Sequence, residues 1–200
     1  MDYTAAIAHL QGADPVLATA IAQIGDCQLI AEQQTGDLLA TLTTAILYQQ
    51  LSGKAAATIH RRFLQLYDTP PSAADILATP DEQLRSVGIS RPKITYLKDL
   101  ATQVQQGLPS LTELAQLEDE AIIATLTPIK GIGRWTVQML LIFRLHRWDV
   151  LPQDDLGIRA AIRSLYQLPE LPSPKTVVQY GQPWQPYRTI ASWYLWRSLD

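Results

Sequence analysis

The sequence predicts an all-α fold, a helical bundle of two lobes, on three observations. Apolar residues recur at helical rather than alternating spacing along most of the chain. Prolines and glycines fall between those stretches, and no fixed-period repeat, low-complexity tract or long linker interrupts them. Two hundred residues at 47% hydrophobic and 18% charged are enough to bury a sizeable core, which excludes a disordered chain or a mini-protein.

The first helices are expected at residues 4–10 and 15–24. Asp14-Pro15 opens the second, because an acid caps bare N–H groups and a proline has none to satisfy, and Gly25 closes it. Cys27 to Ala31 is apolar without a helical stripe and reads as extended. Over 37–51 Asp37 caps a stripe of Leu38, Leu42, Ala45 or Ile46 and Gln49. Helices at 54–67, 81–87 and 91–106 follow. Pro70-Pro71 breaks the chain after the first, Gly88 ends the second, Ser90-Arg91-Pro92 starts the third and Gly107 stops it. The remaining helices are expected at 119–126, 134–146, 155–166, 174–181 and 187–198, with a break from Pro169 to Pro174.

Sixteen basic against nineteen acidic residues give a net charge of −3, which on its own argues against a polyanionic partner. The distribution weakens that objection. Residues 1–50 hold no Lys or Arg but carry Asp2, Asp14, Asp26, Glu32 and Asp37, whereas residues 130–200 hold nine basic and five acidic residues. Such an excess is most often a solvated face, so it permits a nucleic-acid footprint without making the case for one. The single Cys27 excludes an intramolecular disulfide, a four-cysteine zinc site and an iron–sulfur cluster. His9, His60 and His146 form no spaced cluster, so no metal ligands are assigned. With no signal-peptide pattern after Met1 and no apolar run near the ~20 residues that span a bilayer, a non-secreted cytoplasmic protein without membrane partners is expected, or a nuclear one in a eukaryote.

One stretch stands apart: Leu126-Thr127-Pro128-Ile129-Lys130-Gly131-Ile132-Gly133-Arg134-Trp135-Thr136-Val137. Two glycines around one Ile make a tight turn that leaves backbone N–H groups bare at the start of the next helix, a natural site for phosphate. Lys130 and Arg134 bracket the turn with positive charge. Gly-x-Gly alone is most simply a helix–helix turn. Asp155 stands 22 residues beyond Gly133, in Leu151-Pro152-Gln153-Asp154-Asp155-Leu156. One aspartate suffices to cap a helix, so the second needs another reason. The helix dipole favours its charged form, which suits it to stabilise positive charge on a substrate.

A glycine-rich helical hairpin followed about twenty residues later by such an Asp resembles the helix-hairpin-helix base-excision DNA glycosylases, and among them the alkylbase branch, the 3-methyladenine DNA glycosylases of the AlkA and Mag type. Three further segments carry the resemblance. Ile46-Leu47-Tyr48-Gln49-Gln50-Leu51-Ser52-Gly53-Lys54 is similar to the branch's first core helix and loop. Val87-Gly88-Ile89-Ser90-Arg91-Pro92-Lys93 is similar to its G-[IL]-S-x-x-K turn. Trp184-Gln185-Pro186-Tyr187-Arg188-Thr189-Ile190-Ala191, with Trp193 to Trp196, is similar to its closing helix. The resemblance covers residues 37–199 and implies one glycosylase domain over 1–200 without the N-terminal β-domain of longer relatives.

The resemblance implies a monomeric enzyme that flips an alkylated purine, such as 3-methyladenine or 7-methylguanine, out of double-stranded DNA and hydrolyses its glycosidic bond. Asp155 would be catalytic, with Asp154 left as the cap. Trp135, Met139 and Trp196, with Tyr48 and Gln49, would line the base pocket. Met139 departs from the tyrosine of the AlkA type. Gln50 falls on the wedge position that fills the gap left by the flipped nucleotide, with Leu51 or Ser52 sharing the role. Lys54, Lys130, Gly131, Ile132, Gly133, Arg134, Thr136 and Arg188 would contact the DNA backbone. Trp135 stands where bifunctional relatives carry a Schiff-base lysine, so strand cleavage is not expected. No cofactor is implied, apart from an open question of a monovalent cation at the hairpin. Two other readings stand beside this one: a non-catalytic DNA-binding module built on the hairpin, and a glycosylase of the same fold for mismatched or deaminated bases.

Overall fold

The computed structural model describes residues 2–29 and 36–200, and of the described residues 63% are helical and none is in a strand. The all-α expectation holds. The helices are α1 (Thr4–Ala13), α2 (Pro15–Ile24), α3 (Leu38–Tyr48), α4 (Gly53–Leu64), α5 (Ala73–Ala78), α6 (Asp81–Ser86), α7 (Arg91–Gln105), α8 (Leu111–Leu114), α9 (Asp119–Leu126), α10 (Arg134–Phe143), α11 (Leu156–Leu165), α12 (Pro174–Gly181) and α13 (Arg188–Arg197). They form two compact units, one of Met1–Gln33 with Gln138–Asp200 and the other of Gln34–Val137.

Two helices that periodicity missed, α5 and α8, are too short to show a stripe, yet each opens on a reciprocal capping box. Ser72 and Asp75 close one; Ser110 and Glu113 close the other. The segment expected to be extended is not a strand where it is described. Cys27 and Gln28 have no regular structure, Leu29 begins a 3₁₀ turn, and Ile30 and Ala31 lie outside the described residues. Helix α10 stops at Phe143 rather than 146: the Leu145 N–H donates to Leu140 rather than to Leu141, and His146 is left-handed at φ 53°.

In the unit holding both chain ends, α13 is the central element, with Thr189 to Leu195 all buried, and it packs on α2, α11 and α1. Asp14, only 8% exposed, is a polar hub inside it. Its Oδ1 accepts the N–H groups of Val16 and Leu17, both at 3.0 Å, so it caps α2 as expected. Its Oδ2 accepts the Trp184 indole N–H at 2.8 Å and the Tyr166 hydroxyl. Burial, helped by the Asp14 carboxylate, holds the Tyr166 hydroxyl protonated far above its ordinary range. Asp14→Ala removes the cap and leaves a buried indole N–H without an acceptor, at about 2–4 kcal/mol. Thermal unfolding is expected roughly 10 °C below wild type, and an unchanged midpoint would contradict the assignment.

In the other unit, α7 packs against α3, α5 and α6, and α4 against α3. Ile94, Leu97, Leu100 and Ala101 form the buried stripe of α7, facing a core that includes Leu42, Ile46, Leu47, Ile76 and Leu84. The edge of α7 beside that stripe carries the polar residues that reach the hairpin and the loop after α3. Among the described residues no helix is long and apolar enough to cross a membrane.

Candidate active site and nucleic-acid interface

The hairpin between α9 and α10 is anchored by Ile129 and Ile132, at 2% and 3% exposure. The Ile129 N–H donates to Leu126 and the Ile132 N–H to Ile129, which folds the chain back on itself. Gly131 makes the turn possible for two reasons: its φ is +81°, and a Cβ there would collide with the Tyr96 ring of α7, at 2.6 Å from Cγ and 2.9 Å from Cε2. Gly133 differs from expectation. It has no positive φ, and a Cβ would meet nothing within 4 Å, so the turn itself does not need it. What its missing side chain leaves is an open approach to the backbone at the head of α10, where the N–H groups of Gly131 and Gly133 have no partner among the described residues.

The cations that bracket the turn are paired. Asp99 of α7 accepts the Lys130 backbone N–H at 2.9 Å through one oxygen and faces the Lys130 ammonium at 3.3 Å through the other. Arg134 holds Glu120 of α9 through both carboxylate oxygens, one of them at 3.0 Å. That hydrogen bond keeps the Glu120 carboxyl below its ordinary range. The Arg134 pair is exposed on both sides, and in the other pair the Lys130 ammonium is exposed while Asp99 is largely covered, so the bare backbone amides are the donors of the turn that no internal ion pair competes for. Thr136 is buried, which removes the expectation of a solvent-facing phosphate contact from its side chain.

The loop after α3 is arranged around two polar ties. The Gln49 amide donates to the Gly131 carbonyl at 2.8 Å, so this side chain, expected in the base pocket, is instead committed to the hairpin. The Lys93 ammonium donates to the carbonyls of Leu47 at 2.7 Å and Gln49 at 2.8 Å, terminating α3. Burial lowers the affinity of Lys93 for its proton. Gln50, at φ 56°, and Leu51 are exposed, and Ser52 caps α4 through the Ala55 N–H at 3.4 Å. Tyr48 is 38% exposed, edge-on to His60, and Lys54 is exposed on the first turn of α4. Trp135 on α10 is 47% exposed, an unusual position for so large an apolar ring.

Asp155 lies in the other unit, and here the expected division of labour between the two aspartates is corrected. Asp155, not Asp154, caps α11, its Oδ1 accepting the Ile158 N–H at 2.8 Å. Asp154 is exposed. The same Oδ1 accepts the Trp196 indole N–H at 3.0 Å, which fixes the carboxylate against the closing helix. Trp196 in turn stacks on Phe143, with centroids 6.1 Å apart at 23°. Gly157 allows this approach, since a Cβ there would sit 3.0 Å from Asp155 Oδ1 and 3.1 Å from Trp196 Cδ1. Met139 is half-buried on α10.

Arg188 is also reassigned. Its guanidinium grips Asp149 through Nε at 2.7 Å and Nη2 at 2.8 Å, with a third bond to the Asp149 carbonyl. Thr189 adds bonds to Arg147, Trp148 and Val150. The head of α13 therefore props up the strap 147–151 that leads to Asp155, and Arg188 is a strut rather than a phosphate ligand. Sequence reasoning gave no role to Lys93, Tyr96, Asp99 or Gly157. Two of them left a signal: Lys93 is the closing lysine of the Gly88 to Lys93 turn, and Gly157 is a glycine in the first turn of a helix where it costs stability.

The chain as a whole is similar to known proteins. The model of the HhH-GPD superfamily of base excision DNA repair proteins matches residues 43–186. This chain belongs to that superfamily. The DNA-3-methyladenine glycosylase 1 of Schizosaccharomyces pombe is 38% identical, over 98% of this chain and 87% of the relative. The solved 3-methyladenine DNA glycosylase of that yeast, in complex with abasic DNA, superposes with a TM-score of 0.88 at 38% identity and covers 98% of this chain and 96% of its own. A DNA-3-methyladenine glycosidase from Bacillus halodurans superposes at 0.76 with 34% identity, covering 92% and 89%. The HhH-GPD match spans the loop after α3, the hairpin and Asp155, and stops two residues short of Arg188. Among the described residues no group of three His, Cys, Asp or Glu side chains is placed to hold a metal ion.

Proposed function

We propose that this protein is a monofunctional DNA glycosylase that hydrolyses the N-glycosidic bond of alkylated purines, 3-methyladenine and 7-methylguanine, in double-stranded DNA, acting as a monomer in the compartment that holds the DNA. The observation that carries the reading is Asp155, a carboxylate locked at a helix head by two donors on one oxygen. Its enzyme class, a base excision repair glycosylase, agrees with its membership of the superfamily.

An N3- or N7-alkylated purine is cationic, so the bond from C1′ to the base is weak. It breaks with its electron pair leaving on the base, which departs neutral, and C1′ becomes oxocarbenium-like. Asp155 stabilises that positive charge. Water adds to C1′, loses a proton and completes an abasic site. Before that step the nucleotide must leave the stack. Hairpin amides at Gly131 and Gly133 hold the backbone, the exposed Gln50 and Leu51 occupy the vacated space, and the exposed ring of Trp135 offers a face to an electron-poor base. Trp135 also stands where an attacking amine would be needed for strand cleavage, so the product is an uncut abasic strand.

The test is release of methylated bases from alkylated duplex DNA followed by chromatography, with borohydride trapping in parallel. Free 3-methyladenine and 7-methylguanine without a trapped protein–DNA adduct are expected. Failure to release either base would overturn the substrate class, and a trapped adduct would overturn the monofunctional chemistry.

A further inference from the structure

The loop Gln49–Ser52 has little apolar packing to hold it. Gln50, Leu51 and Ser52 are exposed, and a cleft of about 400 Å³ opens beside them, walled by Ile89, Lys93 and Tyr96. Yet the loop backbone is tied at two points, and both ties lead to the same surroundings. Lys93 holds the carbonyls of Leu47 and Gln49. The Gln49 side chain holds the Gly131 carbonyl. Three residues on from Lys93, the ring of Tyr96 fills the space under Gly131 that a Cβ would need. Three further on, Asp99 receives the Lys130 N–H and faces its ammonium. The spacing 93, 96, 99 puts all three on one side of α7.

We propose that Lys93, Tyr96 and Asp99 are positioning residues that join the loop and the hairpin into one rigid reader, so that grip on the DNA backbone and insertion of the loop into the duplex are one event. None of the three touches the reacting atoms. Lys93 is the keystone, because its ammonium holds two loop carbonyls at once and so fixes the backbone of Gln49, whose amide reaches across to Gly131. A loop released from Lys93 still meets DNA through the hairpin, but it no longer arrives pre-formed for the gap that an extruded nucleotide leaves. The cost then falls on discrimination of the flipped state and leaves general affinity alone.

This rests on the reading of the protein as a base-flipping glycosylase, and its test separates the two. The probes are an undamaged duplex and one with a tetrahydrofuran abasic analogue flanked by 2-aminopurine, bound to the full chain. Lys93→Met is expected to bind undamaged duplex within about twofold of wild type, to lose about tenfold in affinity for the abasic duplex, and to give a smaller 2-aminopurine fluorescence rise. Lys93→Arg, which again offers donors to both carbonyls, is expected to recover most of the signal. Gln49→Leu breaks the bond to Gly131 from the other end and is expected to reproduce the loss, which keeps the test open if Lys93→Met is poorly folded. Single-turnover base release is expected to fall by about tenfold at saturating enzyme in both variants. Equal losses on both duplexes, or unchanged discrimination in either variant, would overturn the positioning role. If wild type releases no base yet the discrimination still collapses in the variants, the glycosylase reading fails and the rigid reader stands.

Discussion

Asp155→Asn is expected to reduce base release from methylated duplex DNA by at least about a hundredfold while leaving the unfolding midpoint within about two degrees of wild type. The substitution separates the cap that the structure places on this side chain from the catalytic role proposed for it. As a cap, Asn is as good as Asp, because its amide oxygen can take the same two donors, the Ile158 N–H at 2.8 Å and the Trp196 indole at 3.0 Å. As a source of field it is nearly useless: the formal negative charge beside an oxocarbenium-like C1′ is gone. Removing a single neutral donor from a comparable electrostatic site already costs about 10²–10³ in rate. Asp154→Asn is the internal control and is expected to be near wild type, since Asp154 is exposed and does not cap α11. The decisive comparison is single-turnover rate against Tm for the two variants. Full rate in Asp155→Asn, or a collapse in Asp154→Asn, would place the chemistry elsewhere.

The capping of α11 by Asp155 rather than by Asp154 shows what kind of information a sequence carries. The pair could be read as cap plus reactive group, because two adjacent acids at a helix head exceed what one cap requires. It could not show that one oxygen of Asp155 takes both the capping N–H and an indole N–H, since that depends on Trp196, 41 residues away, arriving with its N–H aimed at Oδ1. The hairpin behaves likewise. Its turn, its buried isoleucines and its open amides are local and were legible from Ile129 to Gly133. The partners of its cations were not, because Asp99 and Glu120 come from other helices. Arg188 failed for the same reason, its closing-helix position being plain and its commitment to Asp149 invisible. Helices α5 and α8 are a different matter: Ser72-x-x-Asp75 and Ser110-x-x-Glu113 were legible signals, overlooked because a four- or six-residue helix shows no stripe.

These pairings also sharpen the meaning of the −3 charge. The excess of positive residues after Lys130 is real, but much of what lies near the site is spent internally, Lys130 on Asp99, Arg134 on Glu120 and Arg188 on Asp149. Phosphate binding then leans on neutral backbone donors at the helix head, which release few counterions and give a shallow salt dependence. Weak binding to undamaged duplex is therefore expected, and an equilibrium titration at two salt concentrations checks it.

The two hairpin glycines are therefore expected to fail in opposite ways when a methyl group is added. Gly131→Ala meets two penalties at once. At φ +81° an L side chain is in the left-handed region, at about 1–2 kcal/mol, and its Cβ would overlap the Tyr96 ring, which has to shift to make room. A total of about 3 kcal/mol is expected, seen as a fall of roughly 10 °C in Tm for a chain of this size. Gly133→Ala meets neither penalty, so its Tm should stay within about two degrees. Its methyl group instead projects into the open approach to the amides, and affinity for duplex DNA is expected to fall by about tenfold, the worth of a hydrogen bond to a charged phosphate. A double variant of Gly131→Ala with Tyr96→Ala separates the two parts of the first penalty. Overlap with the ring predicts that the combined loss is smaller than the sum of the single losses, whereas simple additivity would leave backbone strain as the whole cause. Calorimetry on wild type, Gly131→Ala, Gly133→Ala, Tyr96→Ala and the double variant, with DNA affinity measured on the single glycine variants, decides the matter. A lowered Tm in Gly133→Ala with a normal Tm in Gly131→Ala would reverse the assignment of which glycine shapes the hairpin and which one opens it to DNA.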